Sequence, residues 1–326
     1  MNAVDHNNVV IFDDRGIPSI MCRFVRPKDT EEVPAVFKIG DKVADAIYIS
    51  KYPNIVIDGR AYSMPMADPT VNITFDEAVQ ACRCKGLGWH LMTAVEYEYL
   101  LNQSREKGTM PHGNTDWGKD YYHNEEQGKV SNLGRTYTGT GPVTWNHDHT
   151  PYGVSDLNGN VWEWLAGLRI KDGVIEFIPG NKAASPYCDL SKDSTEWQQA
   201  ETSKGPVRAN VECGEITITD AVAADDYEPN YDGVRIEELE VKLSEIPQVL
   251  KDLGIIPDKR AEEEGKTYVY FDATEGEYLP FRGSAFGATS GSGPSALALD
   301  NPRSLSDVSI GFRSAFYEVN GKLITE

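Results

Sequence analysis

The stretch GVSDLNGNVWEWLAG, Gly153 to Gly167, sets two tryptophans and a glutamate against an Asp-Leu-Asn-Gly-Asn turn. It is too dense in aromatic rings and side-chain oxygens for a plain loop. Asp156, Asn158 and Asn160 are residue types that tie up turn amides with their own side chains. Trp162 and Trp164 are expected to fill a core beside them. Read this way, the segment is an organising centre for a larger fold.

The chain around it can bury such a core, since 326 residues with 40% hydrophobic content suffice for one large domain or two. Its charge is lopsided, with 51 acidic against 31 basic residues and a formal net charge of −20. A chain this acidic gains no counterion release on a polyanion and is repelled at long range. Nucleic acid and anionic membrane surfaces are therefore excluded as partners. MNAVDHNNVVIFDDRG has no basic start followed by an apolar run, so no secretory signal is expected. No apolar run reaches the ~20 residues that cross a bilayer, so membrane insertion is not expected. The five cysteines, Cys22, Cys82, Cys84, Cys188 and Cys213, are odd in number and spread out, so they form no disulfide framework.

Short β-rich runs broken by Asp-Gly and Pro turns fill VVIFDDRG through YISKYPNIVIDGRAYSM. Two helices follow. Thr74 with Glu77 and Thr93 with Glu96 spell capping boxes, and Gly86 and Gly108 supply stops. Phe75, Ala78, Val79 and Cys82 fall on one face of the first helix. The next stretch, MPHGNTDWGKDYYHNEEQGKVSNLGRTYTGTGPVTW, is rich in glycine, asparagine and aromatics, and it lacks periodicity. Such long ordered loops usually carry function. From about 184 to 265 the composition turns acidic and reads as an insertion. It holds one helix in SEIPQVLKDLG, with Ser244 as its cap and Pro247 in its first turn.

Four segments in order, PTVNITFDEAVQACRCKGLGWHLMTAVEYEYLL, YGVSDLNGNVWEW, FRGSAF and GFRSAF, resemble the successive motifs of the formylglycine-generating-enzyme-like branch of the C-type lectin fold. The resemblance implies an α+β, C-type-lectin-like domain over 36–326. A β-rich N-terminal segment (1–35) precedes it, and the acidic insertion (184–265) interrupts it. In some members of that family the turn before Trp-x-Trp holds calcium, an ion that takes about six to eight oxygens. By position its ligands here would be the side chains of Asp156 and Glu163 and the carbonyls of Gly159 and Val161. The hydrogen-bonded turn is the competing reading. It is favoured because the family's other calcium positions have no match. The enzymes of the family hold copper on a cysteine pair, as thiolates suit Cu(I). Those cysteines lie between the third and fourth motifs, and FGATSGSGPSALALDNPRSLSDVSI has none. No catalytic residue is assigned, and the alternatives are an enzyme of this superfamily using other residues, or a structural virion or surface protein whose lectin-like domain only assembles. Histidines 112, 123, 147 and 149 are read as hydrogen-bonding rather than metal-binding.

The segment PFRGSAFGATSGSGPSALALDNPRSLSDVSIGFRSAF also resembles the variable region of proteins diversified by retroelements, at about 281–316. Its frame is Phe281-Arg282-Gly283, Ala296-Leu297, Leu299, Asn301-Pro302-Arg303-Ser304 and Ile310-Gly311-Phe312-Arg313. Between these anchors stand Ser284, Ala285, Gly287, Ala288, Ser290, Ser292, Ser295, Ala298, Asp300, Leu305, Asp307 and Ser309, with Phe286 as the one large aromatic. The resemblance implies a non-catalytic ligand- or receptor-binding protein of a phage, prophage or cell surface, with a protein or glycan ligand on a cell. The variable side chains are expected to share one exposed face, because a packed core feels even one methylene. Arg282 and Arg313 are expected to pair with buried acceptors. A face of Ser, Ala, Gly and Asp lacks hot-spot residues, so modest single-site affinity raised by avidity is expected.

Overall fold

The computed structural model describes residues 6–212, 214–224, 226–256 and 266–323. Cys213 and the acidic run 260–265 lie outside the described residues.

Among the described residues, two large sheets and three short-to-medium α-helices make up an α+β fold dominated by strands. In the first sheet His6–Phe12, Pro18–Val25, Ala46–Ser50 and Ser314–Val319 lie side by side, all antiparallel. The N-terminal hairpin is thus paired, through Ala46–Ser50, to a strand from the far end of the sequence. Ala46–Ser50 is buried along its whole length, as a strand covered on both faces must be. His90–Leu91 joins the other edge of Ser314–Val319.

The second sheet is built on Glu277–Arg282. That strand pairs with Leu297–Pro302 on one side and with both Leu168–Lys171 and Trp162–Trp164 on the other. Ile310–Phe312 runs parallel to Trp162–Trp164. The acidic region contributes Arg208–Glu212 and Glu215–Thr219, which extend the same sheet through Val174–Phe177. Its Val207, Val211, Ile216 and Ile218 are buried in the core shared with Ile47, Leu100 and Leu168.

Helices α1 (Phe75–Arg83) and α2 (Ala94–Lys107) both start at the threonines expected, each with a complete capping box. The anticipated α1 face is buried, and Gly108 ends α2 in the left-handed conformation that glycine adopts without a Cβ penalty. The third helix, α3 (Gln248–Asp252), is shorter than the sequence implies. Its cap is Pro247, and Ser244 is instead bound by backbone N–H and hydroxyl to the Asp220 carboxylate. No helix among the described residues is long and apolar enough to cross a membrane.

Candidate ligand-binding face

The polar turn between Ser155 and Trp162 is a docking station. Asp156 and Asn160 hold positive φ angles (60° and 63°), which Asn and Asp tolerate better than bulkier residues. The Asn160 side chain accepts from the Thr136 N–H (2.8 Å) and the Asn114 amide (3.2 Å) and donates to the Thr136 carbonyl. Asp156 Oδ2 accepts from the Gly139 N–H at 3.0 Å. The turn therefore pins the long loop 110–142 to the centre of the fold. Burial pushes the Asp156 carboxyl up to about 6, with the Gly139 bond and Arg313 pulling the other way.

Glu163, next along, is spent on Arg313. The guanidinium donates to both carboxylate oxygens, Nε to Oε2 at 2.9 Å and Nη2 to Oε1 at 2.7 Å. It also reaches the carbonyls of Ser50, Lys51 and Ser155. The oxygens offered for calcium already have protein partners: each Glu163 oxygen accepts a guanidinium N–H, the Gly159 carbonyl accepts the Val161 N–H (2.8 Å), and Asp156 is turned to Gly139. With a guanidinium as the buried cation beside them, this arrangement favours the hydrogen-bonded turn. Arg282 is placed as expected too, with Nη1 donating to Glu98 Oε2 at 2.7 Å in a buried ion pair. Trp164 is fully buried and donates to the Ile73 carbonyl, whereas Trp162 is only half-buried, which corrects its assignment to the core.

Between the two arginine anchors the chain folds back on the domain. Gly283 N–H donates to the Ala296 carbonyl, Phe286 N–H to Asn160 and Thr289 N–H to Thr115. The expectation of one exposed face is corrected by that docking. Ser284, Ala285, Phe286, Ser292, Ser295 and Ala298 are buried. Ala298 stands in a strand paired on both sides, and Ser295 accepts from Arg105. Gly287, Ser290 and Asp307 are exposed, and Ala288, Asp300, Leu305 and Ser309 are partly so. Apart from Asp300, the variable positions open to solvent form two short stretches, 287–290 and 305–309. Residues 133–135 of the long loop bridge them: Gly134 lies against Phe286, and Arg135 donates to the Val308 carbonyl.

That loop supplies what sequence reasoning missed. Trp117 is 59% exposed, and Tyr121, Tyr122, Val130 and Leu133 of the same loop are exposed as well. Tyr122 hydroxyl donates to the Ser290 carbonyl (2.9 Å), and Trp117 N–H donates to the Phe286 carbonyl (2.7 Å). The signal was the aromatic density of a stretch otherwise made of turn residues. The expected lack of aromatic anchors holds for the C-terminal segment alone and not for the face. Beneath it, the parallel rings of His112 and His123 stack at 3.7 Å and point to Glu126 and Asp120 respectively. They line a cavity of about 150 Å³ with Asn158, Tyr122 and Ser292. Among the described residues no three His, Cys, Asp or Glu side chains converge as metal ligands.

Comparison with known proteins adds the following. The family model described as "Sulfatase-modifying factor enzyme 1-like domain" matches residues 51–207, which include both capped helices, the long loop and the Trp-x-Trp turn. The mouse formylglycine-generating enzyme is 36% identical over 105 residues, which make up 30% of this chain and 27% of that protein. The chain thus spans only about a quarter of that relative. Among solved structures, the Major Tropism Determinant I1 variant aligns with 97% of this chain and 56% of its own, at 12% identity and a TM-score of 0.35. Treponema denticola variable protein 1 aligns with 95% of this chain and 99% of its own, at 11% identity and a TM-score of 0.35.

Proposed function

We propose that this chain is a non-catalytic ligand- or receptor-binding protein with a C-type-lectin-like fold, whose C-terminal face is diversified by a retroelement. It would serve on a phage or prophage particle or on a cell surface, and its ligand would be a protein or glycan exposed on a cell. The observation that carries this is the division of labour within 281–316. Arg282 and Arg313 are locked into buried ion pairs, while 287–290 stands open beside the exposed Trp117 and Tyr122, and 305–309 also faces solvent. A rigid frame with variable, solvent-facing loops is how a paratope is built. The burial of Ser284, Ala285, Phe286, Ser292, Ser295 and Ala298 narrows the proposed contact set to Gly287, Ala288, Ser290, Asp300, Leu305, Asp307 and Ser309.

The match of residues 51–207 to an enzyme-named domain favours a second reading, an enzyme of the formylglycine-generating-like superfamily. Against it, the segment from Gly283 to Ser309 carries no thiol to hold copper. The deciding observation is in the DNA. A near-repeat of the segment encoding Ser284 to Ser309, differing mainly at adenines and lying beside a reverse-transcriptase gene, supports diversification. Its absence, together with conversion of a sulfatase-type cysteine peptide to the aldehyde, would establish the enzyme instead.

A further inference from the structure

Trp117 is held by means that a merely exposed residue does not need. It adopts φ 53°, a left-handed conformation that strains a bulky residue and recurs at ligand clamps. Its N–H is bonded to the Phe286 carbonyl, and its indole meets the Phe286 ring edge-on with centroids 5.0 Å apart. Two glycines lie against the same indole. A Cβ at Gly134 would stand 2.5 Å from its Cε3, and Gly134 has φ 96°, so that wall cannot change. A Cβ at Gly287 would stand 3.2 Å from Cζ2 and 3.5 Å from Cε2, and there the backbone is not left-handed. The left-handed strain that holds glycine at 134 is therefore absent at 287, and a residue larger than glycine there pushes on the ring.

The flanks decide what this ring can meet. Val130 (49% exposed) lies over Gly118, the residue after Trp117, and Leu133 (56% exposed) precedes Gly134, whose α-carbon faces the indole. A sugar would bring hydroxyls that need polar partners, and these two side chains offer none. Apolar flanks around an indole match the buried centre of a protein interface. With a net charge of −20, a second copy of the chain is repelled and a basic protein is attracted.

Building on the binding role proposed above, we propose that Trp117, outside the diversified segment, is the fixed anchor of this face. It enters an apolar pocket on a basic protein partner, and the residue at 287 sets the position of its indole. Variation at 287 then changes specificity without contributing the main contact itself.

The coupling is read with no ligand present. The protein is labelled with 5-fluorotryptophan, and the Trp117 resonance is the one missing from Trp117→Phe. Gly287→Ala should shift that resonance and leave those of the other tryptophans in place, and Gly287→Leu should shift it further. An unmoved Trp117 resonance overturns the coupling. The anchor is tested by displaying the full chain with residues 287, 288, 290 and 307 randomised, and selecting on hen egg-white lysozyme as a basic protein probe and on dextran as a sugar probe. Lysozyme binders are expected. Placing Trp117→Ala in each should weaken binding at least ~30-fold, a hot-spot loss, while the melting temperature stays that of the parent. Binders indifferent to Trp117→Ala overturn the anchor, and Trp117-dependent dextran binders overturn the protein partner. If neither target yields a binder, the binding role itself fails, an outcome distinct from an unmoved fluorine resonance.

Discussion

Replacing Arg313 by methionine should be among the most damaging single changes in the chain. The guanidinium is fully buried and donates to both oxygens of Glu163 and to three backbone carbonyls. Breaking a buried pair from one side leaves an uncompensated charge, at a cost of about 3–5 kcal/mol. An unfolding entropy of roughly 2.1 cal/mol/K per residue, taken over the whole chain, turns this into a fall in Tm of about 4–7 °C. The loss should also depend on pH. Asp156, already pushed up to about 6 by burial, would lose the attractive charge of Arg313. Carboxyls whose folded-state pKa lies above the unfolded value give stability that is fully present below the unfolded value and lost as pH rises through the folded one. Arg313→Met should therefore be hurt most at pH 8 and least near pH 5, and adding Glu163→Leu should restore part of the loss. Scanning calorimetry at the two pH values measures this. A fall below about 1 °C at pH 8, or the same fall at both pH values, would refute the reasoning.

Three further outcomes are expected. Excess calcium and excess chelator should give the same Tm, whereas a native-state site filled at a hundred times its Kd would add about 2.7 kcal/mol, as a melting series would reveal. In urea titrations, Trp164→Ala should cost roughly 3–5 kcal/mol and half-buried Trp162→Ala clearly less; equal losses would contradict their placement. Tyrosine introduced at Ala285, Ser292 or Ala298 should destabilise by about 1–3 kcal/mol through overpacking, while tyrosine at Ser290 or Asp307 should stay within about 0.5 kcal/mol. Circular dichroism melts of these five variants map which positions tolerate change.

What the sequence made legible was mostly local or chemically forced. A threonine and a glutamate three residues on, at the start of an apolar run, can together satisfy two helix-end amides, and Thr74 with Glu77 and Thr93 with Glu96 do so. Arg282 and Arg313, set between apolar neighbours, had to find acceptors, and Glu98 and Glu163 provide them. The partly legible part was the turn at Asp156. Its side chains bond amides as their type implies, but those amides belong to a loop about twenty residues upstream. The rest depended on contacts that no spacing reveals. Small residues such as Ala285 and Ser292 look like surface filler until Asn160 and Thr115 draw their loop inward. Ser244 looks like a helix cap until Asp220 claims it. Trp117 sits in a stretch with no periodicity, so its exposure and its grip on Phe286 arise only from the fold.

The pairing of Ala46–Ser50 with Ser314–Val319 has a consequence for manufacture. Ser50 and Ser314 share a hydrogen bond across 264 residues of sequence, so the first sheet stays open until nearly the whole described chain has left the ribosome. The segment between Arg282 and Arg313 is translated just before that closure. A copy with a premature stop or a shifted reading frame there would lack Arg313 and the closing strand, leaving a bare strand edge and a stranded carboxylate at once. Such copies would be open to aggregation or proteolysis rather than stored as folded protein. Cellular quality control then acts as a proofreader for the segment, passing those copies whose reading frame survived to the far side of it.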